Sequence, residues 1–409
     1  VAEYVAYPLV MLAATPLFVA WLGTEGYGVW MIILAVVGLG SVANLGMGTA
    51  TMRFVSARRG AGDLAAAAAV VRQTFTVAAL GGAVVAAAVA LAAPWVNGWG
   101  EASGAGDLRA AVRLGAALVF LQQLELVFAA ALKGYERFDV AAPIEIAMRL
   151  ASVAAGLAAA YATRDLVMVL AAGVAVSAVS VALRAGAASR IAGAPVYLPV
   201  RLGSIPGEVL RYGAWTCGQG IAGALLGHLD RLVIGWFLGA TAVTYYSVCT
   251  QLAQQAHALP AAALAFVLPL MSRRAASDPD AGAGRVQRRA LAAGAGLTLL
   301  LAAALLVLGV PFMNLWMGEA FTAQAGPLLP WLVAAYALLG LNVAPHYLLL
   351  GTGAARFVSL SNVAGGLASS IGAVLLVPAL GLVGGAVARG LYGPVLLASY
   401  ARLWGARNA

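Results

Sequence analysis

Nine ionisable side chains fall inside apolar stretches of this chain: Glu125, Glu145, Arg149, His228, Asp230, Arg231, His257, His346 and Arg389. Each costs about 2.5–3.5 kcal/mol at a bilayer centre even on a lenient insertion scale, so each calls for a role. Arg231 lies roughly 12 Å from the outer end of its expected helix, too deep to snorkel, and a guanidinium can pair bidentately with diphosphate oxygens. The alternative is a local pair with its neighbour Asp230. Glu145 and Arg149 stand four apart on one helical face, where a structural ion pair is the favoured reading. Glu125 follows Gln122 and Gln123, and a buried carboxylate there either takes up a proton or binds a coupling cation, or is simply part of the scaffold. Gln251, Gln254, Gln255 and His257 recur at three- and four-residue spacings and draw a polar stripe along one face. Such a stripe favours a wet cavity, where amides hydrogen-bond sugar hydroxyls, over a single helix contact. His346 beside Pro345 reads as a kink residue.

What must hold these groups is a membrane protein. Of 409 residues, 63% are hydrophobic and 10% charged, against roughly 25% charged in a soluble domain, which excludes a water-soluble enzyme. Apolar runs broken by Gly, Pro or charge give twelve expected spans: 4–22, 27–52, 70–93, 111–132, 141–161, 167–187, 210–238, 244–271, 290–314, 327–350, 356–378 and 383–403. The fold class is therefore all-α integral membrane. Cys217 and Cys249 both lie in apolar runs and give neither a disulfide framework nor a metal site. Gly218-Gln219-Gly220-Ile221-Ala222-Gly223 imitates a dinucleotide fingerprint, but no strand precedes it, so small-residue helix packing is the reading. Trp95, Trp99 and Trp316 suit an interfacial belt. The start, Val1-Ala2-Glu3-Tyr4, lacks a basic n-region and reads as entry partway into a first helix.

The net charge of +9 comes from 24 basic residues, all but Lys133 being arginine, and their placement follows topology rather than a nucleic-acid stripe. Alternating the connections puts Arg53, Arg58, Arg59, Lys133, Arg137, Arg184, Arg190, Arg273, Arg274 and Arg402 on one side. The other side holds Arg109, Arg113 and Arg164. The first side is then cytoplasmic, and Glu101 and Glu319 face the opposite compartment. The chain also repeats at an offset of about 217. Pro94-Trp95-Val96-Asn97 matches Pro311-Phe312-Met313-Asn314, Leu22-Gly23 matches Leu238-Gly239, and Arg58-Arg59 matches Arg273-Arg274. Six spans per copy predict two six-helix lobes, 1–187 and 208–409, related by a parallel duplication about the membrane normal, with 188–207 as a cytoplasmic linker. The deep charges do not repeat: Glu125 meets Asn342, Glu145 meets Asn362, Arg149 meets Gly366 and Arg389 meets Ala172. This asymmetry favours a substrate or ion role over scaffolding.

Leu22-Gly23-Thr24-Glu25-Gly26-Tyr27-Gly28-Val29-Trp30 opens a series of motifs. Asn44-Leu45-Gly46-Met47-Gly48 with Arg53 follows, then Lys133-Gly134-Tyr135-Glu136-Arg137-Phe138, then Leu229-Asp230-Arg231-Leu232-Val233-Ile234-Gly235. In this order they resemble the polysaccharide (O-antigen type) flippases of the multidrug/oligosaccharidyl-lipid/polysaccharide exporter superfamily. The family often has Asp where this chain has Asn44. The resemblance implies two lobes around a central cavity and export of an undecaprenyl-diphosphate-linked oligosaccharide by alternating access in a bacterial inner membrane. It makes the partners that glycolipid, the bilayer and other polysaccharide-assembly proteins. On this reading Arg231, Gln251, Gln254, His257, Arg149 and Arg53 bind substrate, Arg231 holds the diphosphate in an electropositive cavity, and Asp230, Glu125 and Glu145 are the ion-coupling candidates. No cofactor or metal is expected, and coupling to Na+ or H+ stays open. The rivals are a cation-coupled multidrug exporter, a lipid II flippase, and a membrane glycan polymerase or acyltransferase. An enzyme is disfavoured because the external loop near 94–110 offers Glu101 and Asp107 without His or Cys.

Overall fold

The computed structural model describes residues 2–95, 108–201, 203, 205–267, 270–271 and 283–405, and every regular element among them is helical. In chain order the helices are α1 (Ala2–Gly40), α2 (Met47–Gly60), α3 (Leu64–Ala92), α4 (Leu108–Gly134), α5 (Phe138–Thr163), α6 (Leu166–Ala192), α7 (Gly207–Leu238) and α8 (Ala240–Ala253). They continue as α9 (Gln255–Leu264), α10 (Ala283–Met317), α11 (Glu319–Ala325), α12 (Leu329–Leu341), α13 (Val343–Gly351), α14 (Ala355–Leu380), α15 (Leu382–Gly390) and α16 (Gly393–Gly405). Nine helical segments of the described residues are long and apolar enough to cross a bilayer, which makes the chain a multi-pass membrane protein. Expected positions Glu101, Asp107, Trp99, Arg273 and Arg274 lie outside the described residues.

Glycine marks where long helices reverse. Within α1, Gly23 adopts φ 75°, ψ 167°, while Gly239, between α7 and α8, adopts φ 83°, ψ 173°. Gly318, between α10 and α11, adopts φ 90°, ψ 159°. Backbone of this kind is nearly closed to side-chain-bearing residues. A Cβ at any of the three would meet nothing within 4 Å, so the dihedral alone demands glycine. Polar caps set other helix starts: the Asp63 carboxylate accepts from the Ala66 N–H at 2.8 Å, and Asp165 from the Val167 N–H at 2.9 Å.

Two compact units emerge, Leu9–His228 and Leu229–Ala409 with Val1–Pro8, and α7 runs unbroken from one into the other. In the first unit α4 is the hub, packing on α2, α3 and α6, while α5 packs on α6. Phe128, Leu132 and Tyr135 of α4 and its exit, all at most 1% exposed, form the core with Val71 of α3 and Ala188 of α6. In the second unit α12 packs on α9, α10 and α15, and α14 lies along α15. By contrast α10 turns Leu300, Val307 and Leu315 outward, as expected of a helix against lipid hydrocarbon, which is as apolar as leucine itself.

The second expected span is interrupted. After Gly40 the chain tightens into a short 3-10 turn, Ser41–Asn44, then passes through Leu45 (φ 50°) and Gly46 (φ 73°) before α2 begins. Asn44 closes this break: its Oδ1 accepts from the Gly48 N–H at 2.7 Å and its Nδ2 donates to the Gln123 carbonyl at 3.4 Å. Gln123, fully buried, donates from Nε2 to the Gly40 carbonyl at 3.0 Å. Helices α4 and α7 therefore both meet the break, α7 through Gly213, whose added Cβ would lie 2.8 Å from the Leu45 carbonyl oxygen.

Candidate functional site

Within the first unit, Arg53 of α2 lines a cavity of about 620 Å³ with Phe54, Glu208, Arg211, Tyr212 and Ala214. Its guanidinium carbon stands 4.3 Å from the Tyr212 ring centroid and 5.4 Å from that of Phe54. The cation lies over aromatic rings, which do not consume its N–H donors, and a guanidinium can offer such donors in pairs to an anion's oxygens. Tyr212 is aligned by an edge contact with Phe54 at 5.8 Å and by the Thr49 to Thr216 hydroxyl hydrogen bond at 2.8 Å that ties α2 to α7. Glu208 offers a carboxylate at the same rim. Two arginines, one carboxylate and two rings make a net positive, partly apolar mouth suited to a phosphorylated amphiphile.

The remaining expected groups of this unit cluster on α4, α5 and α6. Glu145 Oε1 accepts from Arg149 at 2.7 Å while its Oε2 stands 3.6 Å from Lys133 Nζ. The local Glu145–Arg149 pair thus forms, and Lys133 joins it from α4. Glu125 is hydrogen-bonded by Ser180 and lies in the field of Arg184, and Arg184 Nε donates to Ser180 Oγ at 3.2 Å. Beside it, Gln122, Glu125, Ser152 and Ser177 line a cavity of about 200 Å³ together with Trp30. His228 packs its ring directly on Gly38, a close approach that any side chain there would block.

In the second unit, Asp230 is the centre of a buried network. Its Oδ2 accepts from the Arg389 guanidinium of α15 and from the Tyr246 hydroxyl of α8 at 2.6 Å, and its Oδ1 accepts from the Arg231 N–H at 2.8 Å. Arg389 also lies over the Tyr336 ring of α12, 5.0 Å from the centroid. Tyr246 reaches Asp230 because Gly385 lets its ring pack at 3.2 Å from where a Cβ would stand. The sequence offers a pair with neighbouring Arg231 as the alternative to a diphosphate-binding role for that arginine; the structure gives the Asp230 ion pair to Arg389, 159 positions away.

Gln251, Gln254 and His257 do share the less buried side of α8 and α9, opposite the buried Leu252, Ala253 and Ala256. The helix is not continuous there, however: Gln254 sits at the junction, its carbonyl accepting from the His257 and Ala258 N–H groups. The His257 ring hydrogen-bonds the Leu339 backbone, and Gln255 Nε2 donates to the Gln251 carbonyl at 3.1 Å. A second polar chain, unforeseen from sequence, runs from Asn342 Nδ2 to the Tyr392 hydroxyl (3.3 Å) and from there to Asn362 Oδ1 (2.5 Å). Residues 342 and 362 are the positions that the sequence offset of about 217 aligns with Glu125 and Glu145, where this chain carries amides in place of carboxylates.

The helices described above make this a polytopic membrane protein, and its fold is that of solved multidrug/oligosaccharidyl-lipid/polysaccharide superfamily transporters. The chain belongs to the polysaccharide biosynthesis protein family, which it matches over residues 21–325. Its fold is similar to that of an inward-facing multidrug resistance MATE family transporter, with 14% identity, 99% of this chain and 97% of that one covered, and a TM-score of 0.75. The lipid II flippase MurJ in an inward closed conformation is similar at 12% identity, 96% and 84% coverage and a TM-score of 0.74. A superfamily transporter from Pyrococcus furiosus Vc1 matches at 14% identity, 99% and 95% coverage and a TM-score of 0.56. No curated protein sequence matches the chain.

Proposed function

We propose that this protein is a flippase carrying an undecaprenyl-diphosphate-linked oligosaccharide from the cytoplasmic to the periplasmic leaflet of a bacterial inner membrane by alternating access. The observation that carries this reading is the Arg53–Tyr212–Arg211 mouth, where guanidinium held on aromatic rings meets apolar surface. A diphosphate needs paired donors with permanent charge, and a polyprenyl chain needs an apolar flank; both are present within one cavity. Arg231 and Arg149 are the further basic groups along the route, and the Gln251/Gln254/His257 face supplies sugar contacts that do not dictate one hydroxyl pattern.

The reading includes a twelve-span architecture. Gly23 divides α1 into two spans, and α7 and α8–α9 add two more to the apolar segments counted above. The near-identical backbone at Gly23 and Gly239, 216 positions apart, supports a parallel duplication of six spans per copy. A cation-coupled drug exporter is the rival; it wants acidic groups in an apolar pocket, and while the cavity at α2 and α7 is basic, Glu125 in the largely apolar cavity lined by Trp30 is the position at which that rival is tested.

The test is export in cells lacking the native copy. Arg53→Ala should abolish surface polysaccharide with protein abundance in the membrane nearly unchanged, and Arg53→Lys should restore only part of it. Normal export by Arg53→Ala, or loss of export only through loss of the protein, removes Arg53 from the binding role. Arg231→Ala and Arg231→Lys examine the deeper site by the same two measurements.

A further inference from the structure

The second cavity of the first unit, about 200 Å³, lies among α1, α4, α5 and α6. Much of its wall is apolar, with Leu34, Val37, Leu118, Val169 and Leu170 beside the Trp30 indole. Trp30 is fixed there by Phe18 and Tyr27, with ring centroids 4.5 and 5.7 Å away, and Phe18 packs 3.2 Å from where a Gly156 Cβ would stand. Polar groups converge from three helices: Gln122 and Glu125 from α4, Ser152 from α5 and Ser177 from α6. Gln122 Oε1 is buried and accepts no hydrogen bond from any described residue, so a hydroxyl placed in the cavity would satisfy it. The cavity is partly open, and Ser152, which lines it, is also exposed. Along α5 one helical face runs from Gly156 and Ser152 to Arg149 and Glu145, at steps of four, three and four residues. Glu145 holds Arg149 at 2.7 Å and stands 3.6 Å from Lys133. A basic cluster therefore begins about 5 Å of helix rise from the cavity's edge.

We propose that this cavity holds one neutral sugar ring of the cargo, the ring bonded to the diphosphate, with Trp30 as its apolar platform and Gln122, Glu125, Ser152 and Ser177 as partners for its hydroxyls. This rests on the cargo being a diphosphate-linked glycan. A pyranose has C–H faces that pack on an indole and a rim of hydroxyls that both donate and accept, and the wall offers a match to each. Volume limits the occupant: drug-sized ligands take roughly 300–1,000 Å³, so this cavity admits a single ring. The Glu125 carboxylate accepts from the hydroxyls of a neutral ring and repels a uronic acid. With the ring in place, phosphates attached to it reach Arg149, three residues from Ser152 on the same face, and the next sugar leaves through the open side.

The test measures binding to the whole protein in lipid nanodiscs. The probes are undecaprenyl diphosphate alone and the same lipid bearing glucose, galactose, N-acetylglucosamine or N-acetylgalactosamine. The parent should bind at least one sugar-bearing lipid about tenfold more tightly than the bare diphosphate lipid. Gln122→Leu removes the amide, and Gly173→Val fills the cavity at a position where a Cβ meets only Leu118, at 4.0 Å. Each should cut the preference to within about twofold while leaving affinity for the bare lipid and the thermal unfolding temperature unchanged. Should one variant fail to fold, the other decides. A preference that survives in the folded variants overturns the inference, and so does an equal loss of affinity for both kinds of lipid. A parent that binds the diphosphate lipid but distinguishes no sugar also overturns it, leaving the flippase reading intact. A parent that binds none of the lipids removes both. Free N-acetylglucosamine at millimolar concentration should change nothing; if it abolishes the preference, the cavity serves a free monosaccharide and its assignment to the cargo falls. Replacing K+ by Na+ should likewise leave the preference unchanged. Competition between Na+ and the sugar-bearing lipid that Glu125→Gln abolishes would make the cavity a cation site and overturn the assignment.

Discussion

Gly23 and Gly239 hold the same backbone conformation, φ 75°, ψ 167° and φ 83°, ψ 173°, at the two places where a long apolar helix turns directly into the next. Neither has a neighbour within 4 Å of a would-be Cβ. Gly23→Ala and Gly239→Ala should therefore each destabilise the protein by about 1–3 kcal/mol through dihedral strain alone. Thermal unfolding in detergent measures this, and equal losses at both sites are expected. A loss at one and none at the other would show that the two reversals are not equivalent.

Asn44 uses both ends of its amide, accepting from Gly48 and donating to the Gln123 carbonyl. An aspartate keeps the first contact and sets a carboxylate oxygen against a carbonyl in the second. Asn44→Asp should cost about 1–3 kcal/mol in the same unfolding measurement, because a buried acceptor is left facing another acceptor. A stability equal to the parent's would mean that the amide donor contributes nothing and that the position tolerates an acid.

The crossing of α2 and α7 depends on Gly46 and Gly213. A Cβ on Gly46, which also has φ 73°, would lie 2.2 Å from the Gly213 carbonyl oxygen, whereas one on Gly213 meets the flexible Met47 Cε before the Leu45 carbonyl oxygen at 2.8 Å. Gly46→Ala should thus be the worse of the two, by about 1 kcal/mol or more. Combining Gly213→Ala with Met47→Ala should recover part of the Gly213→Ala loss but none of the Gly46→Ala loss. The reverse order would place the strain elsewhere.

Topology can be read with single cysteines in a background lacking Cys217 and Cys249. Arg58, Arg164, Glu319 and Arg402 are all exposed at helix ends or in connections. Cysteines at 58 and 402 should react only from the cytoplasmic side, and those at 164 and 319 only from the periplasmic side, with a membrane-impermeant maleimide. Labelling of 58 and 319 from the same side would break the twelve-span scheme.

Membrane insertion, the helical class, the glycine reversals and the list of costly charges were legible from sequence, since they depend on composition and on local spacing. An apolar run must be helical in lipid whatever its neighbours, and a charge four residues from its opposite, as in Glu145 and Arg149, meets it on one helix. The partner of Asp230 was not legible. Arg231 is adjacent in sequence, yet successive helix residues point some 100° apart, and packing brings Arg389 of α15 to the carboxylate instead. Nor could sequence show that the second expected span breaks at Ser41–Gly46, that Gln254 sits at a helix junction, or that Arg53 lies on Tyr212. Those outcomes depend on which helices approach closely enough for a glycine, a buried glutamine or an aromatic ring to meet a neighbour far along the chain. Local spacing decides which groups need partners, and only tertiary packing decides which partners they get.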